Sequence, residues 1–550
     1  MCPVNTRIKN RKAKISNNHL AGLQSDFFAR RMGNGTSWLE VHRAEIEALD
    51  PTQRNSAQVL GILALWVEAG FSDPMIVREL LSRFPDNLTK DFSVFDYIHL
   101  RVAQSLVDMA DENFDLAIGR LEITKALEGP ACFAPLVVIS NYWIGKCHRK
   151  MGRYDEALRH TVKARESSLQ LGHEKLAAVI RILEGWLTFK KGRSKEATRI
   201  IEEAEAILLE TDDHVSLGNI QFAYARISRR ERRYDAAVVH FTAAITEFKR
   251  WTPPPPDLAR SLTNLAFVKQ FIALQLQHKT DHEIARRRRS HEHVAARVDR
   301  MCIEHLREEA QVHLAEAQEI YRRTNDNHGS GTVHLSRGQL YLNSGELDRA
   351  GAEADEAYRL GQLKNDYILM ARGRVLGSMV ENAKFEEQIE EADPCQHAKL
   401  ASQFAHEAGE WALRTPNRRL LAKTLVAKSF ILSNDFFNDP ETARECADRA
   451  TVLLGPAGHD YLWQDLQDLK DRVHHFGGVD SVLREWSHGQ VGDKTFQQIA
   501  EEFAGIVIPK VWKLEGRKIS RVAARLSISP KKVRRILSRQ GLLRVQSAVQ

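Results

Sequence analysis

Residues 141–164 read NYWIGKCHRKMGRYDEALRHTVKA, and the spacing inside this stretch decides the fold. Ala157 and Ala164 stand seven apart. Seven residues is about two helical turns, so both face the same way. Small residues on one face let a neighbouring helix come close. Gly145, Gly152 and Tyr154 come before them. That order predicts a first helix thinned by glycine where it is crossed, a turn at the second glycine, and a second helix carrying the alanines.

The pattern recurs at a fixed interval, the mark of a repeat array. Ala197/Ala204 and Ala237/Ala244 come next in 40-residue steps, and Ala117 with Thr124 lies one step earlier. Ala310/Ala317 and Ala350/Ala357 are another such pair, Ala443/Ala450 is a further copy, and Ala398/Ala405 fits more loosely. The upstream signature repeats as Gly185 and Gly192, as Ala225 and Tyr234, and as Gly338, Tyr341 and Gly345. Only 31 glycines and 16 prolines occur in 550 residues, and alternating β-branched runs are scarce. An almost wholly helical chain is expected.

These residues resemble the tetratricopeptide repeat over roughly 95–470, with clear copies around 138–170, 178–210, 218–250 and 331–363. That repeat is usually ~34 residues long. The longer period here resembles the sensor arms of bacterial transcription regulators of the maltose-regulator type. HEAT-like repeats share the period but do not explain the glycine and tyrosine positions. The resemblance implies an α-solenoid whose concave face binds a protein, a peptide or a small ligand.

One step is long. From Ala237 to Ala310 is 73 residues, an excess of 33 that lies near 277–305. This insertion holds Arg286–Arg289 and the run His291-Glu292-His293. Its polar, proline-free sequence predicts a lengthened helix or a protruding arm. Pro253–Pro256 just before it favours polyproline II, as a rigid inter-repeat turn or as a ligand of SH3-type domains. Residues 38–95 read as a helical cap on the array, with Asp73-Pro74 starting a helix through Ile76, Val77, Leu80 and Leu81. Residues 1–37, opening with Arg7, Lys9, Arg11, Lys12 and Lys14, are expected to be a disordered basic tail.

Charge is concentrated at the other end. Lys513–Arg544 carries eleven Lys/Arg against the single acid Glu515, a surplus of ten. The whole chain is +7, so the rest sums to −3. A local surplus of this kind favours a polyanionic partner for that segment alone. Gly477, Gly478, Gly489 and Gly492 mark a linker over 476–492. Phe496, Ile499, Phe503, Ile506 and Val507 then share a helix face, and Pro509 should end or kink that helix. From Ile519 the chain reads ISRVAARLSISPKKVRRIL. Val522 and Leu526 sit four apart, Ala523 is small where two helices would cross, and Ile528 plugs a turn. Ser529 is an N-cap and Pro530 a first-turn residue, so a new helix begins there, anchored by Val533 and Ile536.

The segment resembles the Fis-family helix-turn-helix, matching its Ser-Arg-x-Ala-x-x-Leu-x-Ile-Ser pattern from Ser520 to Ser529, with Gly541-Leu542-Leu543 as the family's ending. Two positions depart. Ser527 stands where the turn usually has glycine, and Arg534 where an aromatic is common. The resemblance implies a domain over 493–545 that binds double-stranded DNA. Ser529, Lys531, Lys532 and Arg535 would meet bases and phosphates. Arg534, Ser538 and Arg539 would meet phosphate. Arg517, Lys518, Arg521 and Arg525 would grip the backbone from the first helix. Such modules usually pair, and the 495–508 helix has an apolar face that either joins two copies or completes the small domain's own core.

Other chemistry lacks its motifs. No GxxxxGK[ST], HExxH, GxSxG or dinucleotide loop occurs, so neither an enzyme nor a cofactor is expected. Gly33/Gly35 and Gly329/Gly331 precede no strand–helix unit and read as loops. His291, His293, Cys302 and His305 do not share one helix face and sit among arginines, which argues against a metal. Six scattered cysteines without CxxC spacing suit a reducing cytoplasm. No stretch reaches about 18 apolar residues, so no membrane span is expected. The fold class is all-α, a TPR-like α-solenoid over 96–475 followed by a small helix-turn-helix domain. The expected function is DNA-binding transcriptional regulation by a ligand-sensing arm. The alternative is an interaction scaffold with a basic docking module.

Overall fold

The computed structural model describes residues 15–53, 55–72, 74–84, 93–126, 134–251, 254–286, 293–387, 394–455, 462–463, 465–467, 469–470, 486, 492–515, 517–539 and 542–543. Side chains of 281–298 lie outside that description, as do Arg287–His291, most of the 476–492 linker and Gly541.

Every described regular element is an α-helix. Five precede the array: α1 (Asn17–Phe28), α2 (Met32–Val41), α3 (Arg43–Glu47), α4 (Ser56–Glu68) and α5 (Met75–Leu81). Eight hairpins come after them among the described residues. They are α6 (Val94–Ala110) with α7 (Phe114–Ala126), α8 (Ala134–Lys150) with α9 (Tyr154–Gln170), α10 (Glu174–Lys190) with α11 (Ser194–Leu208), and α12 (His214–Arg230) with α13 (Tyr234–Lys249). The second four are α14 (Pro256–Arg286) with α15 (His293–Arg323), α16 (Asn327–Asn343) with α17 (Leu347–Leu363), α18 (Tyr367–Glu386) with α19 (Pro394–Leu413), and α20 (Arg418–Leu432) with α21 (Pro440–Leu454). Each hairpin packs on the next, and the first helices also touch one another from α8 through α20. This is a TPR-like solenoid.

The forty-residue period has a local cause. α8, α9 and α10 are each 17 residues long, and three-residue turns join them. At the turns Gly152, Gly172, Gly192 and Arg232 take left-handed φ of +78°, +75°, +88° and +64°. The amide after each reaches back to the preceding helix, as Arg153 N–H does to the His148 carbonyl at 2.9 Å and Arg193 N–H to that of Thr188 at 3.2 Å. These are Schellman closures, which satisfy carbonyls that the helix end leaves open. Asn325, Gly345 and Asn365 repeat the device in the second half. A helix one turn longer than the usual repeat's, taken twice, gives about 40 residues rather than ~34.

The alanines are where helices meet. Ala157, Ala164, Ala197, Ala204, Ala237, Ala244, Ala310, Ala317, Ala350, Ala357, Ala443 and Ala450 are all fully buried. Gly185 shows how tight the crossing is. A Cβ there would sit 2.6 Å from Ile201 Cγ1 and 3.3 Å from the Ala197 carbonyl oxygen. The inserted residues lengthen α14 and α15 to 31 residues each, ~46 Å of helix.

Three sequence expectations need correction. Residues 15–37 are not a disordered tail, although 1–14 lie outside the described residues. Leu20, Leu23, Phe27, Phe28 and Met32 are buried in the main core. The α1–α2 turn is tied down by Arg30, whose guanidinium pairs with Asp213 at 2.7 Å with both side chains buried. Met32 and Gly33 N–H donate to the Asp212 carboxylate, each at 2.7 Å. Next, Gly33/Gly35 and Gly329/Gly331 lie inside α2 and α16 rather than in loops. They are small for packing, since a Cβ on Gly35 would fall within the Trp66 ring's own space, 2.0 Å from Cη2. Last, Pro74 is the N-cap of α5 rather than its first residue; Asp73 lies outside the described residues.

Candidate functional site

The C-terminal residues build a separate small unit from α22 (Phe496–Leu514), α23 (Ile519–Arg525) and α24 (Pro530–Arg539). Ile508, Trp512, Val522, Ala523, Val533, Ile536 and Leu537 form its core, with Leu526, Ile528 and Leu543 packed at the edge. Pro509 does not end α22, which runs on to Leu514. A proline removes one helical hydrogen bond, and burial of Ile508 and Trp512 on either side holds the helix through it.

The turn between α23 and α24 forms as its residues dictate. Ser527 takes a left-handed φ of +51°. Ser529 caps α24, its hydroxyl accepting the Lys532 N–H at 3.2 Å. Ser529, Lys531, Lys532, Arg534, Arg535, Ser538 and Arg539 are all exposed, as are Arg517, Lys518, Arg521 and Arg525. The structure therefore gathers α24's polar residues on one solvent face, opposite Val533, Ile536 and Leu537.

Sequence reasoning missed the acids that hold part of this face. Glu501, on α22, accepts from Arg535 at 2.6 Å and from Arg539 at 3.2 Å. Glu515 pairs with Arg525. No ion pair engages Lys531, Lys532 or Arg534 among the described residues. The apolar face of α22 is divided. Phe496 is 85% exposed and Phe503 49% exposed, so the unit's own core does not consume that face.

A second feature lies inside the solenoid. The array coils back on itself. Lys364 Nζ donates to the Asp111 carbonyl at 3.5 Å, and the Trp251 indole N–H donates to the Gly70 carbonyl. The coil leaves a partly open cavity of about 560 Å³, lined by α4, by the first helices α6, α8, α10, α12 and α14, by Pro254–Pro256 and by the end of α15. The proline run thus forms a wall, with Pro255 buried. Lys146 is paired with Glu68 and lies 4.5 Å over the Tyr142 ring. Arg260 pairs with Asp257 at 2.8 Å, donates to Asn219 at 2.7 Å, and stacks 4.4 Å over Phe222. Arg149 stacks 5.3 Å over Trp186. Burial and the nearby Arg260 hold its guanidinium below its ordinary value. Glu112 is pushed up by burial and by Asp326. The repeat register held a signal for this site. Lys146 and Trp186 are forty apart, so two cavity-lining residues occupy one inner-helix position of successive repeats.

Among the described residues no group of three or more His, Cys, Asp or Glu side chains could hold a metal. Cys302 is exposed; His291 and the His293 side chain lie outside the described residues. No helix among them is long and apolar enough to cross a membrane.

No family model matches the chain, and no curated protein matches it. Among solved structures it is similar to a human IFIT1 dimer with m7Gppp-AAAA, at 13% identity and TM-score 0.42, covering 81% of this chain and 96% of that one. A Rap protein complexed with competence and sporulation factor matches at 11% identity and TM-score 0.36, covering 78% and 98%. Yeast Tom70 matches at 13% identity and TM-score 0.19, covering 83% and 98%. At such scores the repeat assignment rests on the chain's own hairpins.

Proposed function

We propose that this chain is a helical-repeat binding protein that acts as a DNA-binding transcriptional regulator. The inner face of the solenoid takes a protein or ligand signal, and the C-terminal unit binds double-stranded DNA. One observation carries the DNA half. An N-capped helix presents Lys531, Lys532, Arg534 and Arg535 together on an exposed face, on a rigid core of its own. A helix of that kind fits the major groove, ~12 Å wide, with its N-terminal residues toward the bases. The exposed Phe496 and Phe503 suit pairing of two copies, and two half-sites bind more tightly than one.

A second reading is an interaction scaffold whose basic unit docks on acidic partners without reading sequence. The engagement of Arg535 and Arg539 by Glu501 favours it, since those arginines must leave Glu501 to reach a base. A genome-wide DNA pull-down with the full chain and with Lys531→Ala/Lys532→Ala/Arg535→Ala separates the two. The regulator enriches a short motif that the variant loses. The scaffold retains only salt-sensitive binding without sequence preference.

A further inference from the structure

The cavity inside the solenoid holds a cation, Arg149, that makes no ion pair with any described residue; the counter-charge acting on it, Asp257, is itself paired with Arg260. Lys146 is answered by Glu68, and Arg260 by Asp257. Arg149 has no such direct partner among the described residues: it makes no ion pair, Asp257 reaches it only at longer range, and its Nε is buried without a hydrogen-bond partner. What it has is the Trp186 ring beneath it at 5.3 Å. Cation–π contact offsets only part of a charge's lost hydration. Arg149 is also a last-turn residue of α8, where a cation complements the helix dipole. That accounts for a positive residue at this end of the helix. It does not account for the burial of Arg149 Nε, since Lys150 at the same helix end lines the same cavity and stays exposed.

Two aromatic rings stand in the wall near Arg149, each also approached by a second cation: Lys190 at 4.9 Å from Trp186 and Arg260 at 4.4 Å from Phe222. Trp186 and Phe222 both line the same cavity. Its volume of about 560 Å³ falls within the range of roughly 300–1,000 Å³ typical of small-molecule sites. A guanidinium with free donors, set over aromatic faces, matches an oxyanion carried on a planar ring.

We propose that this cavity is a binding site for a small ring-bearing oxyanion, with Arg149 as its charge partner and Trp186 as its platform. The ring lies among Trp186 and Phe222, and the phosphate or carboxylate accepts from the Arg149 guanidinium. The proposal rests on the reading of the solenoid interior as a binding surface and specifies its ligand. Should the cavity refuse such anions while a protein still binds the arm, the proposal fails and that reading stands. DNA binding enters none of the readouts.

The test uses the full chain, with tryptophan fluorescence and thermal unfolding as readouts. The probes are AMP and naphthalene-2-carboxylate, with adenosine, 2-naphthol and inorganic phosphate as controls. At least one ring-bearing anion should bind and raise the unfolding temperature, and its neutral counterpart and free phosphate should bind more weakly. The order of AMP and the naphthoate distinguishes phosphate from carboxylate, and either order supports the site. In Arg149→Met, affinity for the anion should fall about 10- to 100-fold, the worth of a charge-assisted hydrogen bond. Without ligand this variant should unfold at the same temperature as the wild type or higher, because it removes a charge whose lost hydration no ion pair offsets. Equal binding of charged and neutral probes, no binding of either anion, or unchanged anion affinity in Arg149→Met would each overturn the proposal. So would a lower unfolding temperature for ligand-free Arg149→Met, which would mark Arg149 as structural.

Discussion

Replacing Asp213 by alanine should loosen the N-terminal helices from the solenoid. Asp213 does two things. It pairs with Arg30 at 2.7 Å, with side-chain exposures of 4% for Arg30 and 0% for Asp213. It also caps α12, accepting the Ser216 N–H at 3.0 Å. Loss of the cap costs about 1 kcal/mol. Stranding the buried Arg30 guanidinium costs about 3–5 kcal/mol. The sum, about 4–6 kcal/mol, falls on the α1–α2 turn, whose Arg30 already holds a left-handed φ of +52°. Arg30→Met leaves Asp213 buried but still engaged as a cap, so it should cost less. The double variant should cost less than the two singles together, with a coupling of about 1–3 kcal/mol. Urea unfolding monitored by tryptophan emission reads this, because Trp38 and Trp66 lie on α2 and α4. Limited proteolysis near residues 42–55 is the independent check. If Asp213→Ala costs about 1 kcal/mol and coupling is absent, the pair does not hold the N-terminal helices and the reasoning is refuted.

Local geometry sets three further outcomes. Gly185→Ala should destabilise the array by about 1–3 kcal/mol through overpacking on Ile201, and Gly185→Ala/Ile201→Ala should cost less than the two single variants together, as urea midpoints decide. His99 is buried between Phe95 and Gly61, and burial pulls its imidazole down to about 4 from 6.5. Its contribution is present above pH 6.5 and drains as pH falls toward 4, by about 3 kcal/mol. His99→Phe should flatten stability-versus-pH across that window, and an unchanged slope would count against it. Ser527→Gly should stabilise the C-terminal unit by about 0.5–1 kcal/mol, since glycine adopts a left-handed φ without strain; a thermal scan of the variant measures it.

The repeat was legible because its signal is local. Alanines seven apart and glycines at turns state where helices cross and where they stop, and the buried ladder from Ala157 to Ala450 is their direct consequence. Ser527, Ser529 and the Val522–Val533–Ile536 set were legible for the same reason. The N-terminal helices were misread because the basic run before residue 15 made the whole N-terminus look like a solvated tail. Leu20, Leu23, Phe27 and Phe28 nevertheless carry the three- and four-residue spacing of a buried helix face. Residues that meet only through the coiling of the array could not be read. Arg30 finds Asp213 183 positions away, and Arg149, Trp186 and Arg260 share a cavity only once five first helices, α6, α8, α10, α12 and α14, curve around it. Glu501 lay outside the basic segment, and nothing in its spacing announced the two arginines it holds.

The central claim, that α24 reads DNA from the major groove, can be measured by methylation interference on an enriched duplex. Guanine N7 lies in the major groove. Methylating it at a few positions within the site should block binding of the wild-type chain. If binding tolerates N7 methylation at every guanine of a guanine-containing motif, α24 does not enter the major groove there, and a major-groove role for the C-terminal unit is contradicted.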